Sequence, residues 1–281
     1  MAHEAFTDIS REDLRQAQKI MLYIMKKIHA VCVKHQIRYW LDYGTLLGAI
    51  RHDGFIPWDD DLDICMMRED YEKFCQVAPA EFGEEFFVQT PETTEHFYFA
   101  YGKVRLVDSL WLETRWQYPP LQHSGLFVDI FPHDPFPQSR LKVLLLVAFR
   151  KIFDGVINQK IRKQKAGSFI KVFPRWCCAK LLPVSFMVRQ QQRIIRNLQQ
   201  YRNSSKLVSK LCMDTTRDLC DRAIFDELIL HKFEDTEFYI PARYDERLKM
   251  LFNDYMILPP ENKRFGRHGV LKYDFGKYKD L

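Results

Sequence analysis

The stretch LDYGTLLGAIRHDGFIPWDDDLDI, residues 41–64, decides how this chain folds. Just before it, residues 38–42 (RYWLD) read as a short aromatic strand. Gly44 and Thr45 then open a segment with helical apolar spacing that ends near His52. His52, Asp53 and Gly54 predict a turn, and Pro57 forces extended backbone on its neighbour. Residues 62–67 (LDICMM) predict a buried strand. Ahead of that strand stand Asp59, Asp60 and Asp61, with Asp63 inside it. Four acids in five positions repel one another, and acids are poor strand formers. A cation would relieve that repulsion. Residues two apart in a strand share a face, so Asp61 and Asp63 are expected together, Asp59 as a companion, and Asp60 aimed elsewhere. Hard carboxylate oxygens suit Mg²⁺ or Mn²⁺. The bland alternative is a solvated acidic turn.

Working outward, a second acid stands in an apolar run. Asp129 lies within residues 125–132, GLFVDIFP, which predict a buried strand ending at Pro132. A carboxylate there is costly unless it is paired or bound to metal. It is either a third ligand of the same site or the partner of a core Arg. Asp134 reads as a loop or capping residue. Gly44 and Thr45 present free N–H groups at a helix start, where phosphate binds.

The remaining chain reads as α+β. Ser10 to Asp13 forms a capping box, followed by a helix with one apolar stripe: Leu14, Ala17, Met21, Ile24, Ile28 and Val31. A helix over 69–78 is expected to stop at Pro79. Strands are predicted at 86–89, 97–101, 103–107 and 110–113, long helices over 139–165 and 168–203, an aromatic strand near 233–240 and a helix near 243–252. Three parts are expected: a core over 1–138, a basic helical insertion over 139–203, and a C-terminal α+β segment over 204–281. The chain has 281 residues, 47% of them hydrophobic, which excludes disorder. Net charge is +5, but residues 141–200 hold 13 Lys and Arg against one acid, leaving the rest near −7. Seven Cys, an odd number without a C-x-x-C pair, predict reduced thiols. No apolar run suggests a signal peptide or a membrane span.

Strand, Gly-Thr, helix, Asp-x-Asp strand and a later Asp strand together resemble the nucleotidyltransferase fold. Residues 41–64, FVDIFPHD (127–134) and residues 232–264 (KFEDTEFYIPARYDERLKMLFNDYMILPPENKR) are similar to three motifs of the LicD family of phosphocholine transferases. The similarity runs from about residue 10 to about residue 275. Asp42-Tyr43 and His133 depart from the pattern, and the first departure adjoins the phosphate loop. The resemblance implies a nucleotidyltransferase-like mixed sheet, a CDP-choline donor, and transfer of phosphocholine to a sugar hydroxyl of a lipid-linked glycan, of teichoic acid or lipopolysaccharide type. It implies Asp61, Asp63 and Asp129 as metal-holding catalytic residues, with Asp129 also accepting the proton of the attacking hydroxyl. Gly44, Thr45, Arg51, Lys103 and Arg105 would meet phosphate, with Arg264 and His268 as weaker candidates. A choline ammonium cannot be hydrogen-bonded, so Tyr43, Trp58, Tyr101, Trp111 and Trp116 are cage candidates.

Two other classes compete: transfer of another cytidine-linked phosphoalcohol such as ribitol phosphate, and a non-catalytic nucleotide- or membrane-binding relative. The basic amphipathic segment 141–200 suggests peripheral contact with an anionic membrane, from the cytoplasmic side. No nucleic-acid motif accompanies its charge.

Overall fold

A computed structural model describes residues 9–95, 97–113, 123–160, 181–209, 219–266 and 269–281. In chain order the elements are α1 (Arg11–Lys34), β1 (Trp40–Leu41), α2 (Tyr43–His52), β2 (Asp63–Met67), α3 (Arg68–Phe82), β3 (Phe86–Gln89), β4 (Gly102–Leu106), β5 (Leu110–Glu113), β6 (Phe127–Pro135), α4 (Arg140–Lys160), α5 (Val184–Leu198), β7 (Lys206–Ser209), β8 (Leu219–Asp221), β9 (Leu228–Phe233), β10 (Thr236–Pro241), α6 (Tyr244–Phe252) and β11 (Val270–Asp274). The class is mixed α and β, as the sequence predicts. The chain divides into two compact units, one of residues 1–114, 121–132 and 223–281, the other of 115–120 and 133–222.

The first unit is built on strands in the order β1-β2-β6-β4-β3. β1 pairs antiparallel with β2, β6 with β4, and β4 with β3. Two small antiparallel pairs accompany them, β9 with β10 and β5 with β11. The predicted stripe of α1 is buried along its whole length and joins the core with Ile64, Met66, Val104, Val128 and Phe238. Ser10 caps α1 by accepting from the Asp13 N–H at 3.0 Å. In the second unit His133–Pro135 pair with β7, β7 pairs with β8, and α4 packs on α5.

Four expectations shift. α3 continues through Pro79 to Phe82. Pro79 is exposed, so the carbonyl it leaves without a donor can meet water, while buried Phe82 anchors the last turn. β6 runs past Pro132 to Pro135, because Pro132 falls between the stretch that pairs with β4 and the stretch that pairs with β7, where no ladder N–H is required. Residues 97–101 form no strand. The aromatic stretch near 233–240 is a hairpin, turned at Glu234 with φ +58°. Of the predicted helical residues, 161–180 lie outside those described.

That turn also fastens the loop between α2 and β2. The Glu234 carboxylate accepts from the Phe55 N–H at 3.1 Å and from Arg15 of α1 at 3.0 Å. Burial alone would raise its pKa, but hydrogen bonds from Arg15 and Phe55 outweigh it and hold the carboxyl below its ordinary 4.5. A depressed acid stabilises the fold above its unfolded pKa and loses that contribution as pH falls through the folded one. Glu234→Gln should therefore cost about 1 kcal/mol at neutral pH. The gap from wild type should close as pH drops below 4.5, checked by urea melts across pH. A gap independent of pH would contradict the assignment.

Candidate functional site

The site begins at the N-terminus of α2. Asp42 caps it, accepting from the Tyr43 N–H at 2.8 Å. The Asp42 side chain has no solvent exposure, so its charge requires a partner. Arg247 of α6 supplies it, with Nε 2.9 Å from Oδ1 and Nη2 2.8 Å from Oδ2, and is itself fully buried. The same guanidinium lies 5.3 Å from the centre of the Tyr43 ring. Tyr43 has φ +51° at the first residue of the helix. That conformation costs a non-glycine residue about 1–3 kcal/mol and persists where the surroundings impose it. Capping bond, ion pair and stacking together impose it here.

One turn further, the Thr45 hydroxyl accepts from the Asp63 N–H at 2.8 Å, tying the helix start to the first residue of β2. Thr45 thus uses its side chain to position Asp63. Gly44 allows a close approach: a Cβ there would lie 2.8 Å from Asp59 Oδ2.

The acidic loop comes next. β2 starts only at Asp63, so strand alternation does not govern residues 59–62. Carboxylate oxygens of Asp59, Asp60 and Asp61 instead lie within 4.8 Å of one another. Asp60, expected to point away, belongs to the group because strand alternation does not hold before Asp63. Three gathered hard oxygens are the donor set a divalent cation such as Mg²⁺ or Mn²⁺ takes, so these residues fit the metal that the sequence suggests. Gln18 of α1, buried, holds the loop by donating to Ile56 O at 3.2 Å and Asp59 O at 3.0 Å. On the other side the C-terminal segment passes so close that a Cβ on Gly266 would stand 2.6 Å from Asp60 Oδ2.

Two guanidinium groups stand beside the loop. Arg51 Nη1 donates to Tyr255 O at 2.8 Å, and Arg264 Nε to Pro259 O at 2.8 Å. Burial first, then the positive charge of Arg264, lower the Arg51 pKa, while Asp59 opposes them. Arg264 covers Trp58 at 5.5 Å, and His52 meets Trp58 edge-on. Among the described residues each guanidinium is anchored through one nitrogen, which leaves further donors for an anion.

The strand side carries the other acids. The Asp129 N–H donates to Leu62 O at 2.9 Å, so Asp129 and Asp63 stand on neighbouring strands. Both raise the pKa of the Tyr101 hydroxyl, behind the larger effect of its burial. Lys103 ion-pairs with Asp129 at 2.7 Å and lies 3.4 Å from the Phe127 ring centre. Asp129 is thus ion-paired, and its partner is Lys103 where the sequence offered a core Arg. Arg105 is buried and donates to Gln89 Oε1 at 2.6 Å and Gly125 O at 2.7 Å. Of the aromatic candidates, Tyr43 meets Phe131 edge-on, and Phe131 meets Tyr101 at 4.6 Å. Trp58 lies under Arg264, and Trp111 packs against Tyr273 on the β5–β11 pair. Trp116 and His268 lie outside the described residues.

Sequence reasoning missed Gln18, Arg247 and Phe131. Gln18 signals itself only as a polar residue on an apolar stripe. Arg247 lies 205 positions from its partner, beyond any local pattern.

The family model described as LicD/FKTN/FKRP, nucleotidyltransferase domain, matches residues 36–153. The chain is 30% identical over 274 residues to the lipopolysaccharide cholinephosphotransferase LicD of Haemophilus influenzae, covering 91% of this chain and 96% of that protein. The chain belongs to the LicD family. A shorter match, 40% identical over 70 residues, joins it to the human ribitol 5-phosphate transferase FKRP and covers 25% of this chain and 13% of that protein. An uncharacterized Rickettsia typhi protein is 46% identical over 72 residues, 25% of this chain and 23% of its own. In this LicD-family chain Asp42 and Arg247 form a buried pair, so removing one member should be severe. Arg247→Met, which leaves Asp42 buried and charged, should destabilise by about 3–5 kcal/mol. Adding Asp42→Asn should recover part of that loss. Denaturant titration of the double-mutant cycle measures both; independent, additive losses would contradict the coupling.

Proposed function

We propose that this phosphotransferase moves phosphocholine from CDP-choline to a hydroxyl of a cell-surface glycan, of the kind found in lipopolysaccharide, and releases CMP. The similarity to the Haemophilus LicD over nearly the whole of both chains carries the reading. The gathering of Asp59, Asp60 and Asp61 beside the start of α2 supports a diphosphate-binding role for that corner.

In this reading Asp59, Asp60 and Asp61, with Asp63 next to them, hold a divalent cation, which neutralises diphosphate charge when bound. Phosphoryl transfer asks mainly for positioning and charge stabilisation. The N–H groups at Gly44 and Thr45 and the remaining donors of Arg51 and Arg264 donate to phosphate oxygens. The glycan hydroxyl forms the new O–P bond as the P–O bond to CMP breaks. Asp129 accepts the hydroxyl proton, and Lys103 offsets its buried charge. The linked rings of Tyr43, Phe131 and Tyr101 offer aromatic faces to the quaternary ammonium. Arg105 supports β4 instead of touching phosphate, given its bonds to Gln89 and Gly125.

The test is CMP release from CDP-choline with Mg²⁺ and a lipopolysaccharide acceptor. Wild type should release CMP only with acceptor present. Asp61→Asn should lose more than about 10³-fold in rate without losing stability. Retained activity in that variant would refute the site. Release from CDP-ribitol and none from CDP-choline would refute the choline reading and favour the chemistry of the FKRP relatives. Tyr43→Ala should weaken CDP-choline binding by about tenfold and leave CMP binding nearly unchanged, read by calorimetry. Equal weakening of both would remove Tyr43 from ammonium recognition.

A further inference from the structure

In the second unit, α4 carries its apolar side outward. Leu141, Leu144 and Leu145 are 67%, 66% and 62% exposed, and Ile152 is 39% exposed. Ala148 between them is exposed as well. At 100° per residue these five fall within an arc of about 100°, a single stripe along three turns. The inner face is a different set: Phe153 and Val156 are buried. Lys142 and Lys151, both exposed, stand on opposite flanks of the stripe. Lys142 is braced there by its bond to the Tyr201 hydroxyl at 2.6 Å. The helix packed on α4 repeats the pattern with charge. α5 buries Met187, Gln191, Ile195 and Leu198 and exposes Arg189, Arg193 and Arg196, spaced four and three apart.

We propose that this unit docks on an anionic lipid surface, with the α4 stripe entering the headgroup region and the flanking cations meeting lipid phosphates. Isolated exposed leucines need no explanation, but a continuous stripe rimmed by lysines has the composition of an interfacial helix. Among the described residues no helix is long and apolar enough to cross a membrane, so α4 would lie in the interface plane. Charge selects the occupant. On the described surface Lys142 and Lys151 of α4 and Arg189, Arg193 and Arg196 of α5 are all exposed. A second copy of the chain would bring two such surfaces together and repel. A nucleic acid would match the charge but has no use for the leucines. Only an anionic bilayer answers both features, taking the leucines into its headgroup region and setting lipid phosphates against the cations. The inference is independent of the transferase reading.

The experiment is flotation of the full chain with phosphatidylcholine vesicles, with and without a third of phosphatidylglycerol, at physiological salt. Wild type should float with the anionic vesicles and bind the neutral ones at least about tenfold less. Leu144→Glu/Leu145→Glu should reduce flotation by more than about tenfold, with an unchanged melting temperature because both positions face solvent. Should that variant melt early, Leu144→Ser/Leu145→Ser replaces it. Arg189→Gln/Arg193→Gln should lower binding to anionic vesicles and leave neutral binding unchanged. No flotation of wild type, or flotation unaltered by the leucine variants, would overturn the proposal. So would a dimer in light scattering that the leucine variants dissociate while vesicles stay unbound, since the stripe would then join two copies. Binding of a DNA duplex that survives the leucine variants, without vesicle binding, would overturn it too.

Discussion

The candidate site hangs on one buried ion pair, Arg247 with Asp42. Asp42 is the cap of α2, the neighbour of the strained Tyr43, and a residue of the turn that carries Gly44 and Thr45. Its carboxylate is out of water, and without Arg247 its burial would cost several kcal/mol. With Arg247 in place, the turn has one geometry. Thr45 then fixes the Asp63 N–H, and Gly44 leaves room for Asp59. A contact from residue 247 thereby sets where carboxylates near residue 60 can stand.

The acidic loop needs this external support because its own chemistry opposes it. Adjacent carboxylates repel, and no regular ladder holds residues 57–62. Gln18 grips two of its carbonyls, Glu234 holds the Phe55 N–H, and Gly266 closes against Asp60. Helix α1, the β9–β10 turn and the C-terminal segment each contribute one clamp. A rigid scaffold around a charged, irregular loop is what a site for a bound cation and diphosphate requires.

Much of this was legible in the sequence, for identifiable reasons. The α1 stripe, α2, β2, β3 and β5 emerged from local periodicity and punctuation, which act within a few residues. Pro79 and Pro132 misled, because an exposed helix face and a gap between two strand partners tolerate the missing N–H. The acids themselves stood out. Their grouping did not, since strand alternation governs only from Asp63 onward. The ion pairs Arg247–Asp42 and Lys103–Asp129 join positions far apart in the chain, where spacing carries no signal.

The central claim is that Asp59, Asp60 and Asp61, framed by α2, hold a divalent cation. Mn²⁺ titration followed by electron paramagnetic resonance tests it without any donor or acceptor. Wild type should remove free Mn²⁺ signal at a saturable site, and Asp59→Asn/Asp61→Asn should abolish that uptake while keeping the native circular dichroism spectrum. Equal Mn²⁺ uptake by wild type and the variant would contradict the account.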